Sequence, residues 1–486
     1  MIRVFNDLTN TLVPFEPLSP SQVLMYVCGP TVYDSPHLGH ARSEVAFDMI
    51  RRYLEFRGFQ VKYVHNYTDV DDKMINKANA EGVGIDIIAD RYMAEYESMQ
   101  KALLVKEPTY KPRATAEIPS IIATIKTLET KGYTYQSEGS IWFDTSKLAN
   151  YKGLFMKSKT KEDGEEIQFT QSDFANQKRN VEDFVLWKAE KPGEPAWDSP
   201  WGRGRPGWHI ECSAMSMRYL GESIDIHGGG KDLKRPHHQN EIAQSEAATG
   251  KPFVKYWLHN GFLNIDNTKM SKSLGNFIVL ADLLQKFSGV VLRFFFLNFY
   301  YQRPVDFTIE KVEGAQSSLR RIQQFYLKWQ DNTKNVENQD ADMIAHKKVL
   351  EDRITQFYQA MDEDFNTAKA IGHLFGLINY TQKTFLNKNV PISSEIHRLV
   401  VDFLDQIDTF LSFIKAFDPN IAENKDVGLV LGENIQESQI LGTLIDNLLL
   451  YRLELKKTKN YQMADKLRDL LKESGIIVSD TKDGYI

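Results

Sequence analysis

The chain has 486 residues, a net charge of −6, and 42% hydrophobic and 12% aromatic residues. This composition predicts a folded protein of roughly two to four domains and excludes an overall basic nucleic-acid binder, so contact with RNA would require a local basic patch. Two cysteines, Cys28 and Cys212, argue against a disulfide scaffold. The N-terminus has no signal-peptide pattern, and the apolar stretch 294–301 is too short to cross a bilayer. We therefore expect a cytoplasmic protein with no membrane partner.

The first elements predict a parallel sheet. Residues 23–28 form a short apolar run typical of a buried strand, which Gly29 and Pro30 end. A helical pattern follows up to Gly58, and residues 59–64 predict a second strand. Strand, turn, helix and strand form a right-handed crossover unit, which predicts a Rossmann-type parallel α/β sheet with ligands at the carboxyl ends of its strands.

The pattern then becomes irregular and recovers later. A mixed-charge loop and a segment rich in Pro, Gly and Trp indicate an insertion that splits the sheet domain, and strand-like runs resume at 223–227 and 254–259, with a glycine turn at 228–230. Apolar residues three and four apart after residue 311 predict an all-α helical bundle, and a helix followed by a short strand predicts a small C-terminal α/β domain. The expected organisation is a Rossmann-type domain (1–115 and 205–260), a connective insertion (116–204), a stem-contact region that includes residues 269–273 (261–310), the bundle (311–417) and the C-terminal domain (430–486).

Two short motifs carry the chemistry: His37-Leu38-Gly39-His40 and Lys269-Met270-Ser271-Lys272-Ser273. Separately, two histidines near a helix start are more often surface or capping residues, and a Lys/Ser pentapeptide is usually a solvated loop. Together, in this order, they resemble the HIGH and KMSKS signatures of class I aminoacyl-tRNA synthetases. Activation of an amino acid by ATP builds negative charge on phosphate oxygens, which needs fixed donors and cations. We predict His37, His40, Lys269 and Lys272 as catalytic residues.

The expected ATP site is wider than the catalytic residues. Gly39 allows the nucleotide to approach the backbone closely, and a carboxylate after the glycine turn is suited to a ribose hydroxyl. The glycine run does not fit the spacing of a phosphate-binding P-loop. The predicted ATP contacts are Gly29, His37, Gly39, His40, Gly229, Asp232, Met270 and Lys272, with Mg²⁺ accompanying ATP.

Four residues make a candidate metal site. Cys28 ends the first strand, Cys212 lies after Trp208 and His209, and His237 and Glu241 are four apart on one helical face. Two thiolates, an imidazole and a carboxylate are the right number and type for tetrahedral zinc. Cysteines so distant in sequence are more often core thiols and match no compact zinc finger, so the residues alone leave both interpretations open.

Longer motifs extend the resemblance over essentially the whole chain, to the cysteinyl-tRNA synthetase family. They are Tyr26-Val27-Cys28-Gly29-Pro30-Thr31-Val32-Tyr33-Asp34, Asn66-Tyr67-Thr68-Asp69-Val70-Asp71-Asp72-Lys73, residues 204–215, residues 225–230 and residues 270–276. The resemblance implies one zinc ion per subunit, held by Cys28, Cys212, His237 and Glu241. One departure is Gln239, where the family commonly has Glu; it changes charge beside the ligands without removing one.

The implied substrate agrees with this chemistry, because zinc favours a soft thiolate over the hydroxyl of serine. A plain pocket separates such near-isosteres only about a hundredfold, whereas a metal that the substrate must ligate does better, so we expect no editing domain. Thr68, Trp208 and His209 are the predicted walls of the cysteine pocket; core packing is an equal alternative for Trp208.

The C-terminal end predicts RNA contact. Between residues 452 and 472 lie seven basic and three acidic residues, which suits phosphate contact but also fits a solvated helix face. The resemblance implies anticodon recognition here, with the motif 362–367 in the preceding bundle. Lys456, Tyr461 and Asp465 are the predicted tRNA contacts, with Tyr461 stacking on a base, although the family often has Trp there.

We therefore expect a cysteine–tRNA ligase that forms cysteinyl-adenylate and transfers cysteine to the 3′-terminal adenosine of tRNA(Cys), as a monomer. A ligase that joins cysteine to a small amine is the nearest rival, and the chain after residue 308 counts against it. A catalytically inactive zinc- and RNA-binding regulator is a third reading, against which the intact His37, His40, Lys269 and Lys272 speak.

Overall fold

The structure is a computed structural model that describes residues 1–149, 151, 175–265, 268–269, 277–331, 335–336, 341–388, 390–417, 465, 480–481 and 484–485. The chain forms two compact units, Met1–Ile421 and Ala422–Ile486. The described part of the second unit includes a short antiparallel pair of strands. None of the described helices combines the length and apolar composition that crossing a membrane requires.

The strands are β1 (Arg3–Asn6), β2 (Thr11–Pro14), β3 (Gln22–Val27), β4 (Gln60–His65), β5 (Thr134–Ser137), β6 (Ser140–Phe143), β7 (Phe184–Ala189), β8 (Gly204–Pro206), β9 (Ile224–Gly230), β10 (Val254–Asn260), β11 (Leu263–Ile265), β12 (Thr268–Lys269), β13 (Val305–Phe307), β14 (Asn335–Val336), β15 (Ile392–Ser393), β16 (Asp480–Thr481) and β17 (Gly484–Tyr485). The α-helices are α1 (Leu38–Phe56), α2 (Asp72–Glu81), α3 (Ile85–Ala102), α4 (Ile118–Thr130), α5 (Trp208–Leu220), α6 (Gln239–Thr249), α7 (Leu280–Leu284), α8 (Gly289–Leu297), α9 (Ile309–Gln330), α10 (Ala341–Asp362), α11 (Thr367–Thr381) and α12 (Ser394–Leu411).

The central sheet is fully parallel, in the order β10-β9-β3-β4. From β3 the chain crosses through α1 to β4 on one side, whereas β9 lies on the other side of β3 and crosses through α6 to β10. The strand order therefore reverses between β3 and β9, and ligands of such sheets bind outside the carboxyl ends of the strands at that point. The predicted parallel α/β sheet is confirmed, and it places the ends of β3 and β9 side by side.

The glycine run 228–230 is part of a strand, not a turn after one. Strand β9 continues to Gly230, and its glycines pair with the end of β10. A Cβ atom on Gly228 would lie 2.6 Å from Cζ of Phe47, which projects from α1. Glycine here thus permits close contact between helix and strand, which is one established use of glycine inside a strand.

The segment between the halves of the sheet carries regular structure of its own. Strands β5 to β8 form an antiparallel sheet, in which all of β6 is buried. Its core packs against α4, α5 and α6. The short strands explain why the sequence pattern looked irregular, because four residues buried on both faces show no alternation. The domain boundaries stay predictions.

After β10 the chain leads into a small sheet and then the helices. Strand β11 pairs with β12 on one side and, in parallel, with β13 on the other. The helices α9 to α12 follow, as the apolar spacing predicted. A wholly buried arginine of α8, Arg293, joins them to α1: it lies 2.6 Å from a carboxylate oxygen of Asp48 and donates to the carbonyls of Leu103 and Leu411.

Candidate active site

The first motif forms the start of α1. His37 is the N-cap residue, and its Nδ1 accepts hydrogen bonds from the backbone N–H groups of Gly39 (3.1 Å) and His40 (3.3 Å). The Nδ1 of His40 accepts from the N–H of His37 at 3.3 Å, which completes a capping box. Because each Nδ1 accepts, the ring proton of each histidine lies on Nε2. The rings stack with centroids 3.6 Å apart, so the two histidines form one rigid pair of N–H donors.

The second motif is attached to the same place through its flanks. The backbone of Lys269 pairs with Asn264 in β11, and the segment after the motif returns to α1. There Val279 pairs with His37, Leu38 donates to the carbonyl of Ile278, and the ring of Phe277 stands edge-on to His37. The fold thus brings the segment after the KMSKS motif to the helix start, while the strand before the motif pairs with β11. The side chain of Lys269, and Met270 and Lys272, lie outside the described residues.

A cavity of about 350 Å³ opens at the carboxyl ends of the strands. Seven of the residues predicted from sequence line it: Cys28, Gly29, His37, Gly39, His40, Asp232 and Trp208. Of these, Trp208 is 39% exposed. Gly230 lines it, whereas its neighbour Gly229 packs against His238 and Leu233. One cavity therefore joins the histidine pair to the first of the predicted metal ligands.

The four predicted metal ligands converge behind that cavity. One donor atom from each of Cys28, Cys212, His237 and Glu241 lies within 4.8 Å of the other three. The two sulfur atoms are 3.7 Å apart, and Oε1 of Glu241 is 3.4 Å from the Cys28 sulfur and 3.1 Å from Nε2 of His237. All four side chains are nearly or fully buried. A set of two sulfurs, one nitrogen and one oxygen in this volume matches the donors and number that zinc takes.

The charges in this cluster compensate one another. Burial and the hydrogen bond to Cys212 raise the pKa of Cys28, so its thiol donates to the Cys212 sulfur and lowers the pKa of Cys212 to about 6. Burial opposes the charged forms of His237 and Glu241, but their partners outweigh it. Hydrogen bonds with Cys212 and Glu241 raise the pKa of His237 to about 10, and His227 and His237 lower the pKa of Glu241 to about 2. The site therefore favours a thiolate and a carboxylate, which are the ligand forms that a cation needs.

A layer of histidines that the sequence reasoning missed surrounds the cluster. Nε2 of His227 lies 2.9 Å from the second oxygen of Glu241. A chain of bonds runs from Asp7 through His259 to Nδ1 of His238, in steps of 2.9 and 2.8 Å. Because Asp7 accepts the His259 proton, the chain places the His238 proton on Nδ1. The Nε2 lone pair of His238 then lies 4.0 Å from Oε1 of Glu241.

This layer creates a second possible ligand set. Cys28, His227, His238 and Glu241 also have donor atoms within 4.8 Å of one another. The signal in the sequence was weak: His227 lies inside the apolar strand β9, and His238, although three residues before Glu241, is adjacent to the predicted ligand His237. The two sets share Cys28 and Glu241 and differ in the other two members.

The predicted cysteine-pocket residues lie around the cluster. The ring of Trp208 is 4.3 Å from that of His237, and Nδ1 of His209 is 2.9 Å from Nδ1 of His237. Burial and the neighbouring His237 lower the pKa of His209 well below its usual value, so His209 is neutral. Thr68 is buried, donates to Glu211 at 3.0 Å and is not among the described residues that line the cavity; its role in the cysteine pocket stays a prediction.

Two of the three predicted tRNA contacts lie outside the described residues. Lys456 and Tyr461 lie outside them, and Asp465 is an exposed helical residue. These three assignments stay predictions.

Comparison with known proteins agrees with the fold. Residues 14–317 match the family described as the class I (C) tRNA synthetase catalytic domain, and residues 356–414 match the DALR domain. The chain is 44% identical to a protein named cysteine–tRNA ligase from Fusobacterium nucleatum over 99% of both chains. It is 44% identical to another of that name from Geobacillus sp. strain WCH70, over 99% of this chain and 98% of that one.

Solved structures share the fold at low identity. A methionyl-tRNA synthetase from Mycobacterium tuberculosis, in complex with methionyl-adenylate, superposes with a TM-score of 0.60 at 16% identity, over 80% of this chain and 89% of that one. A leucyl-tRNA synthetase from Agrobacterium radiobacter gives 0.60 at 11% identity, over 82% and 85%. The parallel sheet with its two motifs is thus that of a class I aminoacyl-tRNA synthetase, a ligase that uses tRNA, an amino acid and ATP. Within that class, the full-length relatives show that the chain belongs to the cysteine–tRNA ligase family.

Proposed function

We propose that this enzyme activates L-cysteine with ATP to cysteinyl-adenylate, transfers it to the 3′-terminal adenosine of tRNA(Cys), and selects cysteine through zinc bound by Cys28, Cys212, His237 and Glu241. The observation that carries the proposal is that Cys28, one of four clustered donors, lines the same cavity as the stacked histidine pair. An amino acid whose side chain is held at the donors would have its carboxylate toward the nucleotide site.

In the activation step the carboxylate of cysteine attacks the α-phosphate of ATP, and pyrophosphate leaves. His37 and His40 offer Nε2–H donors fixed by the capping box, so no reorganisation is needed as charge develops on the phosphate. Lys269 and Lys272 are the proposed cations for the leaving group, and Mg²⁺ accompanies ATP. Gly29, Gly39 and Asp232 form the wall on which the nucleotide rests.

The selection of cysteine rests on the donor set. Zinc would supply a soft Lewis acid that accepts a substrate thiolate far better than the hydroxyl of serine. The chain itself prepares the ligands: Cys28 holds the Cys212 sulfur toward its thiolate form, and His227 orients Glu241 from behind. Trp208 is partly exposed beside His237 and is positioned to exclude water from the bound side chain.

The decisive experiment pairs metal content with cysteine-dependent ATP–pyrophosphate exchange on Cys212→Ser. We expect loss of zinc and a cysteine-over-serine preference of no more than about a hundredfold, the limit of a plain pocket. Ser216→Ala is the matched control, because Ser216 is a buried residue one turn later on α5 and belongs to neither ligand set. A metal-free Cys212→Ser enzyme that keeps the full wild-type preference would refute selection by zinc.

Two further variants decide between the ligand sets. Under the proposal His237→Gln loses zinc while His238→Gln retains it, since His238 is in the second set only. The reverse result would assign zinc to Cys28, His227, His238 and Glu241.

The RNA-binding assignments are part of the same proposal. Lys456, Tyr461 and Asp465 would contact tRNA within an anticodon-binding domain at 430–486, in a monomeric enzyme. Charging of tRNA(Cys) by Tyr461→Ala and Lys456→Ala tests this: a rise in KM for tRNA with unchanged pyrophosphate exchange supports it, and unchanged charging contradicts it.

A further inference from the structure

One buried arginine of α1 binds the backbone on which the KMSKS motif is built. Arg42, two residues after His40, is 3% exposed, and its guanidinium donates to the carbonyls of Phe262, Tyr301 and Arg303, at 3.1 Å for Tyr301. Among the described residues no carboxylate pairs with it. A guanidinium has several donors in a fixed plane, so it can bind carbonyls of separate segments and lock their spacing.

Arg42 joins the segment that leads into β11 to the segment that leads into β13. The N–H of Gly261 donates to the carbonyl of Tyr301 at 2.8 Å, and that of Val305 donates to Phe262 at 3.0 Å. A Cβ on Gly261 would lie 2.5 Å from the carbonyl oxygen of Arg303, so the segments are in close contact. β11 in turn pairs with β12, which ends at Lys269. Arg42 therefore holds the start of the hairpin formed by β11 and β12, called the KMSKS hairpin because its last residue, Lys269, begins the motif.

The same tyrosine is also held from the helical bundle. The carboxylate of Asp364 accepts hydrogen bonds from the hydroxyls of Tyr300 and Tyr301, the latter at 3.2 Å, and from the N–H of Phe5 at 2.7 Å. Asp364 lies in the turn between α10 and α11, in the motif 362–367. Its neighbour Phe365 shares its left-handed backbone, with φ angles of 58° and 54°. Two such residues in succession are strained and persist only where the surroundings hold them.

We infer that Arg42 and Asp364 are positioning residues at the two ends of one hydrogen-bonded connection through Tyr301, which fixes the KMSKS hairpin against α1 and couples it to the α10–α11 turn. This connection rests on the proposed ATP site, because the hairpin matters for activation only if Lys269 and Lys272 contact ATP. Neither residue is placed on the substrate; both act through the backbone.

The first test replaces Arg42 by Lys, which keeps the charge but replaces the planar, spread set of guanidinium donors by one ammonium nitrogen. We expect amide hydrogen exchange, measured by mass spectrometry over residues 261–265 and 303–307, to quicken by about tenfold. In pyrophosphate exchange the KM for ATP should rise by about tenfold while the KM for cysteine stays within about twofold. Wild-type exchange activity, measured first, tests the proposed function separately.

Arg51→Lys is the matched control. Arg51 is another buried arginine of α1, and it donates to the carbonyls of Lys106 and Glu107, away from the hairpin. We expect its effect on both readouts to be within about twofold of wild type. Unchanged amide exchange in Arg42→Lys, or an unchanged KM for ATP despite faster exchange, would overturn the positioning role, as would an equal effect of Arg51→Lys.

A second pair of variants tests the link to the bundle. Asp364→Asn and the milder Tyr301→Phe, which loses only the hydroxyl, should each quicken amide exchange over residues 261–265. In the double variant Arg42→Lys/Asp364→Asn, the rise in KM for ATP should be smaller than the product of the single effects, because both act on one connection. Full multiplicativity would overturn the role of Asp364.

Discussion

Adding one methyl group at Gly29 should disable the active site. A Cβ atom there would overlap the carbonyl oxygen of Asn66 and lie 2.7 Å from its carbonyl carbon, where ordinary contacts begin at 3.4 Å. The obstacle is backbone at the end of β4, so no side chain can move aside. Relief requires the ends of β3 and β4 to separate by about 1 Å, a displacement that costs roughly a hundredfold in rate when it reaches catalytic groups.

The displacement would reach both the predicted metal ligand Cys28 and the helix cap His37. Gly29 follows Cys28 directly, and its N–H donates to the side chain of Asn66 at 3.0 Å. For Gly29→Ala we expect a loss of about 1–3 kcal/mol in the free energy of unfolding and at least about a hundredfold in kcat/KM for pyrophosphate exchange. The control is Gly314→Ala on the open face of α9, where a Cβ meets nothing within 4 Å and should add about 0.5–1 kcal/mol of stability. Gly29→Ala enzyme with kcat/KM within about threefold of wild type would refute the argument.

Three more predictions follow from single side chains. His37→Asn keeps an N-cap acceptor, so the free energy of unfolding in urea should change by less than about 1 kcal/mol, while the rate of pyrophosphate exchange should fall roughly a hundredfold. Retained activity would mean that His37 only caps the helix. Arg293→Met removes the buried partner of Asp48, although Arg52 still pairs with that carboxylate. We expect the free energy of unfolding, measured in urea, to fall by about 3 kcal/mol, and a fall below about 1 kcal/mol would contradict the role of the buried pair. Burial raises the pKa of Asp364 to about 7, despite hydrogen bonds from Tyr300, Phe5 and Tyr301 that lower it. The native state thus retains a proton that the unfolded state has released, and the free energy of unfolding should fall as pH rises from 5 to 8, by up to about 2–3 kcal/mol more than in Asp364→Asn; equal slopes would refute it.

The sequence predicted the elements whose periodicity is strong. Residues 23–28 and 59–64 gave β3 and β4 within one residue, and the apolar spacing from Val312 to Trp329 gave α9. These segments are buried on a regular face or on both faces, so the pattern follows directly from the geometry. The predicted strand ended at His227, because a glycine run usually signals a turn. In the structure β9 continues, and the ring of Phe47 explains why glycine follows inside the strand.

The site could be predicted where residue type and motif indicate the chemistry. It could not be predicted where a side chain binds the backbone of a distant segment. Cys28, Cys212, His237 and Glu241 have donor chemistry that names them as ligands once the resemblance is seen. Arg42 has no such signal: its partners are carbonyls of Phe262, Tyr301 and Arg303, and any residue type supplies a carbonyl. His259 is similar, since its part in orienting His238 depends on Asp7, 252 positions away along the chain.

The order of residues along one short loop ties amino-acid selection to ATP handling. The chain passes from the ligand Cys28 at the end of β3 to the cap His37 at the start of α1, and Asn66 at the end of β4 braces that loop from the side. The side-chain oxygen of Asn66 accepts from the Gly29 N–H at 3.0 Å and lies 3.8 Å from the Cys212 sulfur. A shift of either sulfur is therefore transmitted to the loop that ends in the histidine pair. If the proposed zinc site is correct, loss of the metal should impair catalysis with any amino acid, and not only the preference for cysteine, because the same amide supports both halves of the site.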